Sequence, residues 1–127
     1  MSRKAVASPD APAAIGPYSQ AIEIDGFVFC SGQLGLDPTT GQLLEGVEDQ
    51  AERALLNLES VLGSAGLTMA DVVKTTIFLA DLSHFAQVNA IYARHIAEPA
   101  PARSTVQVAA LPRAALGEIE AIARRSS

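Results

Sequence analysis

The sequence has few of the residues that hold metal ions. It contains one cysteine, Cys30, and two histidines, His84 and His95, which are eleven positions apart. Zinc-activated water needs three His or Cys ligands at close spacing with a glutamate nearby, and that pattern is missing. We therefore expect no metal and no cofactor, and we interpret each histidine as a solvated helix residue.

Positive charge and aromatic side chains are also scarce. Lysine and arginine total 9 against 14 acidic residues, which gives a net charge of -5, and there are four Phe, two Tyr and no Trp. Binding of a phosphate backbone needs basic clusters, and binding of single strands needs stacking aromatics. We expect no nucleic-acid partner.

Long apolar runs are absent as well. No 18 apolar residues follow one another, and polar or proline residues interrupt positions 8–12. Neither a membrane span nor a secretion signal is predicted. Cys30 lies in the apolar run 27–30 and has no partner for an internal disulfide, so it is interpreted as a buried thiol of a cytoplasmic protein.

Two common catalytic motifs are missing. No glycine-rich phosphate loop opens a helix after a strand, and no G-x-S-x-G occurs. Ser31-Gly32 follows a strand-like run but precedes no helix. Any chemistry must therefore rest on other polar side chains.

The length and the composition indicate one domain that meets other subunits. The 127 residues fit a single domain, 1–127. Hydrophobic residues make up 49% and charged residues 18%, with a mean hydropathy of +0.23. Some apolar surface is therefore expected to contact another chain.

Local patterns predict the elements along the chain. Residues 20–24 and 27–31 read as strands joined by Asp25-Gly26, a pair that favours a type I′ hairpin. Residues 37–41 read as a turn, and a three-to-four-residue apolar period predicts a helix over 47–65 that ends at Gly66. A capped turn at 68–71 leads into a β-branched strand at 72–79.

The second half repeats the alternation of helix and strand. A helix is predicted from Asp81 or Ser83 until Pro99, followed by strands over 103–109 and 116–123. The order β-β-α-β-α-β-β predicts an α+β fold, a two-layer sandwich with two helices on one face of a mixed sheet. The other face of such a sheet must also be buried, and packing against other subunits would do so.

Arg103 is the candidate that the pattern alone singles out. A guanidinium at the start of an otherwise apolar strand is costly to bury unless a planar anion meets it with two bonds. A structural ion pair with Glu118 or Glu120 is the alternative, and periodicity alone somewhat favours it because such pairs are common. These two glutamates share one strand face, opposite Ile119, and a partly buried carboxylate there could transfer protons. Glu120 could equally be solvated or lie at an interface, and Tyr18 could be a packing loop aromatic.

Taken together, several segments resemble the RidA family, also called YjgF-like proteins, reactive intermediate deaminases or L-PSP endoribonucleases. The resemblance covers essentially the whole chain. The segments that carry it are 11–21 (APAAIGPYSQA), 31–33 (SGQ), 73–76 (VKTT), 85–89 (FAQVN), 101–106 (PARSTV), 111–112 (LP) and 118–123 (EIEAIA).

The resemblance implies a chorismate-mutase-like homotrimer with ligand sites between subunits. It implies hydrolysis of enamines and imines such as 2-aminoacrylate to 2-oxo acids and ammonia, without a cofactor. By position, Arg103 would bind the substrate carboxylate and Glu118 would activate water. The backbone at Gly32 and Thr105 would contact the ligand, Tyr18 would close the cleft, and Ser31 and Asn89 would line it.

Two departures and two rival functions remain open. Many relatives have cysteine where this chain has Thr105, and residues 98–100 lack an aromatic that many relatives carry, which affects the expected substrate range. A trimer that binds 2-oxo or amino acids without turnover is one rival. An endoribonuclease is the other, and the acidic balance counts against it.

Overall fold

A six-stranded sheet is the framework of the computed structural model, which describes residues 2–126. The strands are β1 Lys4–Val6, β2 Ala21–Ile24, β3 Phe27–Leu34, β4 Val72–Leu79, β5 Ala102–Gln107 and β6 Gly117–Arg124. Their order across the sheet is β1-β2-β3-β6-β4-β5. Within the described residues only the β4–β5 pair is parallel, so the sheet is mixed as predicted.

Two helices, α1 Val47–Ser64 and α2 Phe85–Ala93, cover one face of this sheet. The periodic apolar positions of α1 supply the fully buried Leu55, Leu58 and Leu62, which pack with Val28 of β3 and Ile119 of β6. Burial of each such side chain contributes about 1.5–3 kcal/mol. No helix within residues 2–126 has the length and apolar character that a membrane crossing requires.

The predicted hairpin is confirmed by its backbone angles. Asp25 and Gly26 have φ values of 53° and 81°, which is the left-handed conformation that both central positions of a type I′ turn need. The matching strand register pairs Ile24 with Phe27. A short local signal was sufficient here because the turn itself sets the register.

Strand β3 is longer than predicted and carries a bulge. Cys30 pairs with Ala121 and Gln33 pairs with Ile119, so three steps along β3 match two steps along β6. The extra residue lies at Ser31-Gly32. Bulges of this kind redirect side chains and often lie next to functional sites.

The face of the sheet away from the helices is open. Phe29, Val73 and Val106 are 44%, 47% and 42% exposed there, and Glu118 and Glu120 share this face. The predicted alternation along β6 is confirmed. Glu118 and Glu120 point to the open face, whereas Ile119 and Ala121 point to the buried face.

Several expectations need correction. Strand β1 was not predicted, because three residues carry no usable periodicity and form a strand only by pairing with β2. The helix expected to run until Pro99 ends at Ala93, after a 3₁₀ turn at Leu82–His84. Strand β5 lies at the sheet edge and none of its residues is fully buried, so the prediction of a strand buried on one face was too strong.

Both histidines differ from the expected solvated helix residues. His84 ends the 3₁₀ turn before α2, and its Nδ1 is buried without a hydrogen-bond partner among the described residues. His95 lies beyond the end of α2, and its side chain is only 10% exposed because two glutamates of α1 enclose it. The spacing of apolar residues, which predicts the helices, carries no information about these contacts between elements.

Candidate active site

Arg103 lies against the outer surface of α2. It is on the helix-facing side of β5, beside Thr75 of β4. Its Nη1 donates a hydrogen bond of 2.8 Å to Asn89 Oδ1. Its guanidinium carbon is 4.9 Å from the ring centre of Tyr92 and 5.6 Å from that of Phe85. A charged hydrogen bond and two aromatic faces therefore fix the plane of the guanidinium.

The three contacts come from one face of α2. Phe85, Asn89 and Tyr92 are spaced four and three residues apart, so they lie above one another on the helix. Tyr92 is itself held by a 2.7 Å hydrogen bond between its hydroxyl and that of Thr75. The sequence analysis did not assign Phe85 or Tyr92 to the site. Their spacing relative to Asn89 was the signal that could have done so.

The remaining donors of Arg103 are available to a ligand. Among residues 2–126, the guanidinium makes no hydrogen bond besides the one to Asn89 and no ion pair. The alternative of an ion pair with Glu118 or Glu120 is therefore not found within the described chain. A planar anion such as a carboxylate can take the free donors with two parallel bonds.

Thr105 lies two residues further along the same face of β5. Its hydroxyl is buried and has no hydrogen-bond partner among the described residues. Together with Asn89 and Arg103 it lines a depression whose floor is formed by Ile77 and Leu79, and which is too shallow to enclose a ligand by itself. The depression offers one cation over an apolar floor, and the Thr105 hydroxyl is buried in its wall.

A second group of candidate residues gathers at the β3 bulge. The Ser31 hydroxyl donates a 2.6 Å hydrogen bond to the Ser19 carbonyl, which ties the loop carrying Tyr18 to the bulge. Tyr18 is 54% exposed and borders an open groove of about 420 Å³. The bulge is thus tied to the backbone of the loop that carries Tyr18, whose ring borders a groove lined by residues 5–9, 13–14 and 18–20.

The Glu118 carboxylate lies directly on Gly32. A Cβ atom at position 32 would come within 2.7 Å of Glu118 Oε2, so only glycine allows this approach. Burial raises the pKa of Glu118, and the nearby charge of Glu120 raises it further. A carboxyl group with a raised pKa suits proton transfer near neutral pH.

The seven candidate residues thus form two groups. Arg103, Asn89 and Thr105 lie on the helix-facing side, whereas Glu118 shares the open face and contacts Gly32. Strand β4 separates β5 from β6, so Arg103 and Glu118 are two strands apart, about 10 Å across the sheet, on opposite faces. They are also offset along the sheet, because Arg103 pairs with Thr75 and Glu118 pairs with Phe78, three residues further along β4. One small ligand cannot contact both residues of the same chain. Among residues 2–126, no cluster of three or more His, Cys, Asp or Glu side chains could hold a metal ion.

Comparison with known proteins identifies the family. The model of the family described as endoribonuclease L-PSP matches residues 8–125. The chain therefore belongs to this family, and the RidA resemblance of its motifs is confirmed.

Individual relatives cover nearly the whole chain. It is 52% identical to the 2-iminobutanoate/2-iminopropanoate deaminase of Mus musculus, over 95% of this chain and 90% of that protein. The crystal structure of RidA from the Antarctic bacterium Psychrobacter sp. superposes with a TM-score of 0.93 at 45% identity, covering 95% of this chain and 98% of the other. The crystal structure of E. coli TdcF with bound serine superposes with a TM-score of 0.93 at 43% identity, covering 97% of this chain and 99% of the other.

Proposed function

We propose that this chain hydrolyses reactive enamine and imine intermediates, such as 2-aminoacrylate, to 2-oxo acids and ammonia. The observation that carries the proposal is the guanidinium of Arg103, held by Asn89 and Tyr92 with donors left for a carboxylate. The deaminase names of its relatives support the same reaction.

The proposed chemistry needs only binding and proton transfer. An enamine tautomerises to an imine, whose C=N carbon is already electrophilic. Arg103 binds the adjacent carboxylate and orients that carbon, and Glu118 accepts a proton from the attacking water. Glu118 passes this proton to the nitrogen, and the hydroxyl proton of the tetrahedral adduct follows by the same route as the adduct collapses. The C–N bond then breaks, the nitrogen leaves as ammonia, and the oxygen becomes the 2-oxo group.

An ammonia-release assay tests this proposal. A dehydratase that forms 2-aminoacrylate in the cuvette supplies the substrate, and the protein is expected to accelerate ammonia release above the spontaneous rate. The dehydratase alone is the control. Unchanged ammonia release, together with measurable binding of a 2-oxo acid, would contradict the proposal and favour a binding protein without turnover. The serine bound by E. coli TdcF is the observation that keeps this second candidate open.

We also propose that the single domain of residues 1–127 assembles as a chorismate-mutase-like homotrimer in the cytoplasm. Its sites would lie between subunits, with Arg103 of one chain facing Glu118 of the next. The opposite faces on which these residues lie and the exposed apolar side chains of the open face both support it. The buried thiol of Cys30, whose pKa is raised to about 12 by burial, suits a reducing compartment.

Complementation between two inactive variants tests the shared site. Co-expressed Arg103→Lys and Glu118→Gln chains are expected to regain about one quarter of wild-type activity, because about that fraction of shared sites then receives both native residues. Each variant expressed alone is the control. No recovery in mixed oligomers, or a sedimentation mass of one chain at micromolar concentration, would contradict the proposal.

A further inference from the structure

His95 ties the end of α2 to α1 through both nitrogens of its ring. Nδ1 is 2.7 Å from Glu59 Oε2, and Nε2 is 2.8 Å from Glu52 Oε1. The two glutamates are seven residues apart on α1, about two turns, and therefore point the same way. Ionised carboxylates only accept hydrogen bonds, so both ring nitrogens must donate. This geometry fits an imidazolium and not a neutral ring.

The surroundings of the ring favour the charged form. Burial alone would lower the pKa of His95, but the hydrogen bonds and charges of Glu52 and Glu59 outweigh it, and the pKa is raised. α2 contains no charged residue, and Tyr92 is its one titratable group. Arg94, which precedes His95, is exposed. On α1, the neighbouring Arg53 donates to Asn57, and within residues 2–126 neither Glu52 nor Glu59 forms an ion pair with a lysine or arginine.

The same end of α2 holds Tyr92, one of the side chains that orient Arg103, and Asn89 lies about one turn before it. The His95 backbone N–H donates to the Tyr92 carbonyl at 3.0 Å, so the ring is attached directly to the last turn of the helix. The other side-chain hydrogen bond between α1 and α2 in the described chain joins Gln87 and Glu48, at 3.5 Å and exposed to solvent. His95 is thus the strongest polar connection between α1 and the end of α2.

We propose that the His95 imidazolium is a positioning group for Arg103. Held by Glu52 and Glu59, it keeps α2 where Asn89 and Tyr92 orient the guanidinium for a substrate carboxylate, and loss of its proton weakens that binding. The inference rests on the proposed function, in which Arg103 binds a carboxylate.

The direction of the pH effect follows from the raised pKa. The pKa of His95 is higher in the folded chain than in the unfolded chain. Such a group contributes its full stabilisation of the folded state at pH values below its pKa in the unfolded chain. That contribution is lost as the pH rises through the folded value. Arginine stays charged throughout this range. Carboxylate affinity should therefore fall on the alkaline side.

Binding of 2-oxobutanoate between pH 6 and 9 tests the proposal. The wild-type dissociation constant is expected to rise about fivefold or more across this range. His95→Gln should bind weakly and without this transition, whereas His95→Arg, which keeps a permanent charge and several donors, should bind tightly throughout. His84→Gln removes the other histidine, which has no carboxylate partner within residues 2–126, and should retain the wild-type profile. In ammonia release, His95→Gln should raise KM more than it lowers kcat.

A second pair of variants covers the case in which His95→Arg does not fit. Glu52→Gln/Glu59→Gln removes both carboxylate partners and should move the transition in 2-oxobutanoate affinity to lower pH. Glu45→Gln/Asp49→Asn removes the same charge at and before the first turn of α1, from residues that form no hydrogen bond with His95 in the described chain, and should leave the transition in place. Equal shifts in both double variants would assign the effect to general charge and overturn the proposal.

An NMR measurement without ligand separates this inference from the proposed function. The ring nitrogen signals of His95 should report double protonation at neutral pH, and the Arg103 Nε–H signal should change with the same midpoint when the ring loses its proton. If the wild type binds no 2-oxo acid and releases no ammonia, the proposed function fails, and these signals still decide whether His95 positions Arg103. A His95→Gln protein that unfolds more easily, yet keeps the wild-type Arg103 signal and affinity, would mean that His95 is only structural.

Discussion

Arg103→Lys is expected to lower kcat/KM for imine hydrolysis by about 100-fold or more while the protein stays folded. Lysine keeps the positive charge but lacks the two coplanar donors that match a carboxylate. It also loses the hydrogen bond to Asn89 and the stacking on Tyr92 that fix the plane of the guanidinium. Hydrogen bonds to charged groups are worth about 1.5–3 kcal/mol each, so loss of two accounts for a factor of this size.

Arg113→Lys is the matched control, because Arg113 is exposed and lies in the turn Pro112–Ala114, outside both groups of site residues. Ammonia release and 2-oxobutanoate affinity would be measured for both variants, with thermal unfolding to verify the fold. Wild-type turnover in a folded Arg103→Lys protein would assign Arg103 to structure and remove the main support for the proposed reaction.

Elements with local signals could be predicted from the sequence. The Asp25-Gly26 turn needs positive φ at both positions, and few other residue pairs supply it at low cost. The predicted strand over 72–79 matches β4, because β-branched residues fill it and a capping box at Thr68 and Asp71 precedes it. The predicted helix over 47–65 ends one residue later than α1.

Contacts between distant elements could not be predicted in the same way. Arg103 forms a structural ion pair or binds an anion according to which residues lie near it. Those neighbours are set by the strand order, in which β4 lies between β5 and β6. No local period encodes that order. The enclosure of His95 by Glu52 and Glu59 joins residues 36 and 43 positions apart, and it was missed for the same reason.

The candidate site shows the same division. Strand periodicity predicted that Arg103 is a candidate site residue and that Glu118 and Glu120 share one face, because both follow from alternation along a strand. Ser31 and Gly32 entered only through the family resemblance. Their position depends on the bulge in β3, which shifts the register between Cys30 and Gln33 and has no local sequence signature apart from a glycine.

Glu118→Gln is expected to lower turnover by about 100-fold or more, with little loss of affinity for 2-oxobutanoate. General base catalysis contributes about 10²- to 10⁴-fold, and an amide cannot accept a proton from water. Glutamine keeps the shape of the side chain, so it can still lie on Gly32 and hydrogen-bond water. The effect should therefore appear in kcat far more than in product binding.

Glu120→Gln is the matched control for this prediction, since Glu120 lies two residues along the same strand on the same open face. The structure distinguishes the two glutamates, because Glu118 contacts Gly32 at the bulge and burial, together with the charge of Glu120, raises its pKa. Glu120→Gln should therefore retain most activity, and by removing a neighbouring negative charge it should lower the pKa of Glu118 and move the pH profile of kcat to lower pH. Inactive Glu120→Gln beside active Glu118→Gln would place the base two residues further along β6. Equal, small losses in both would mean that Arg103 and backbone groups supply nearly all of the catalysis.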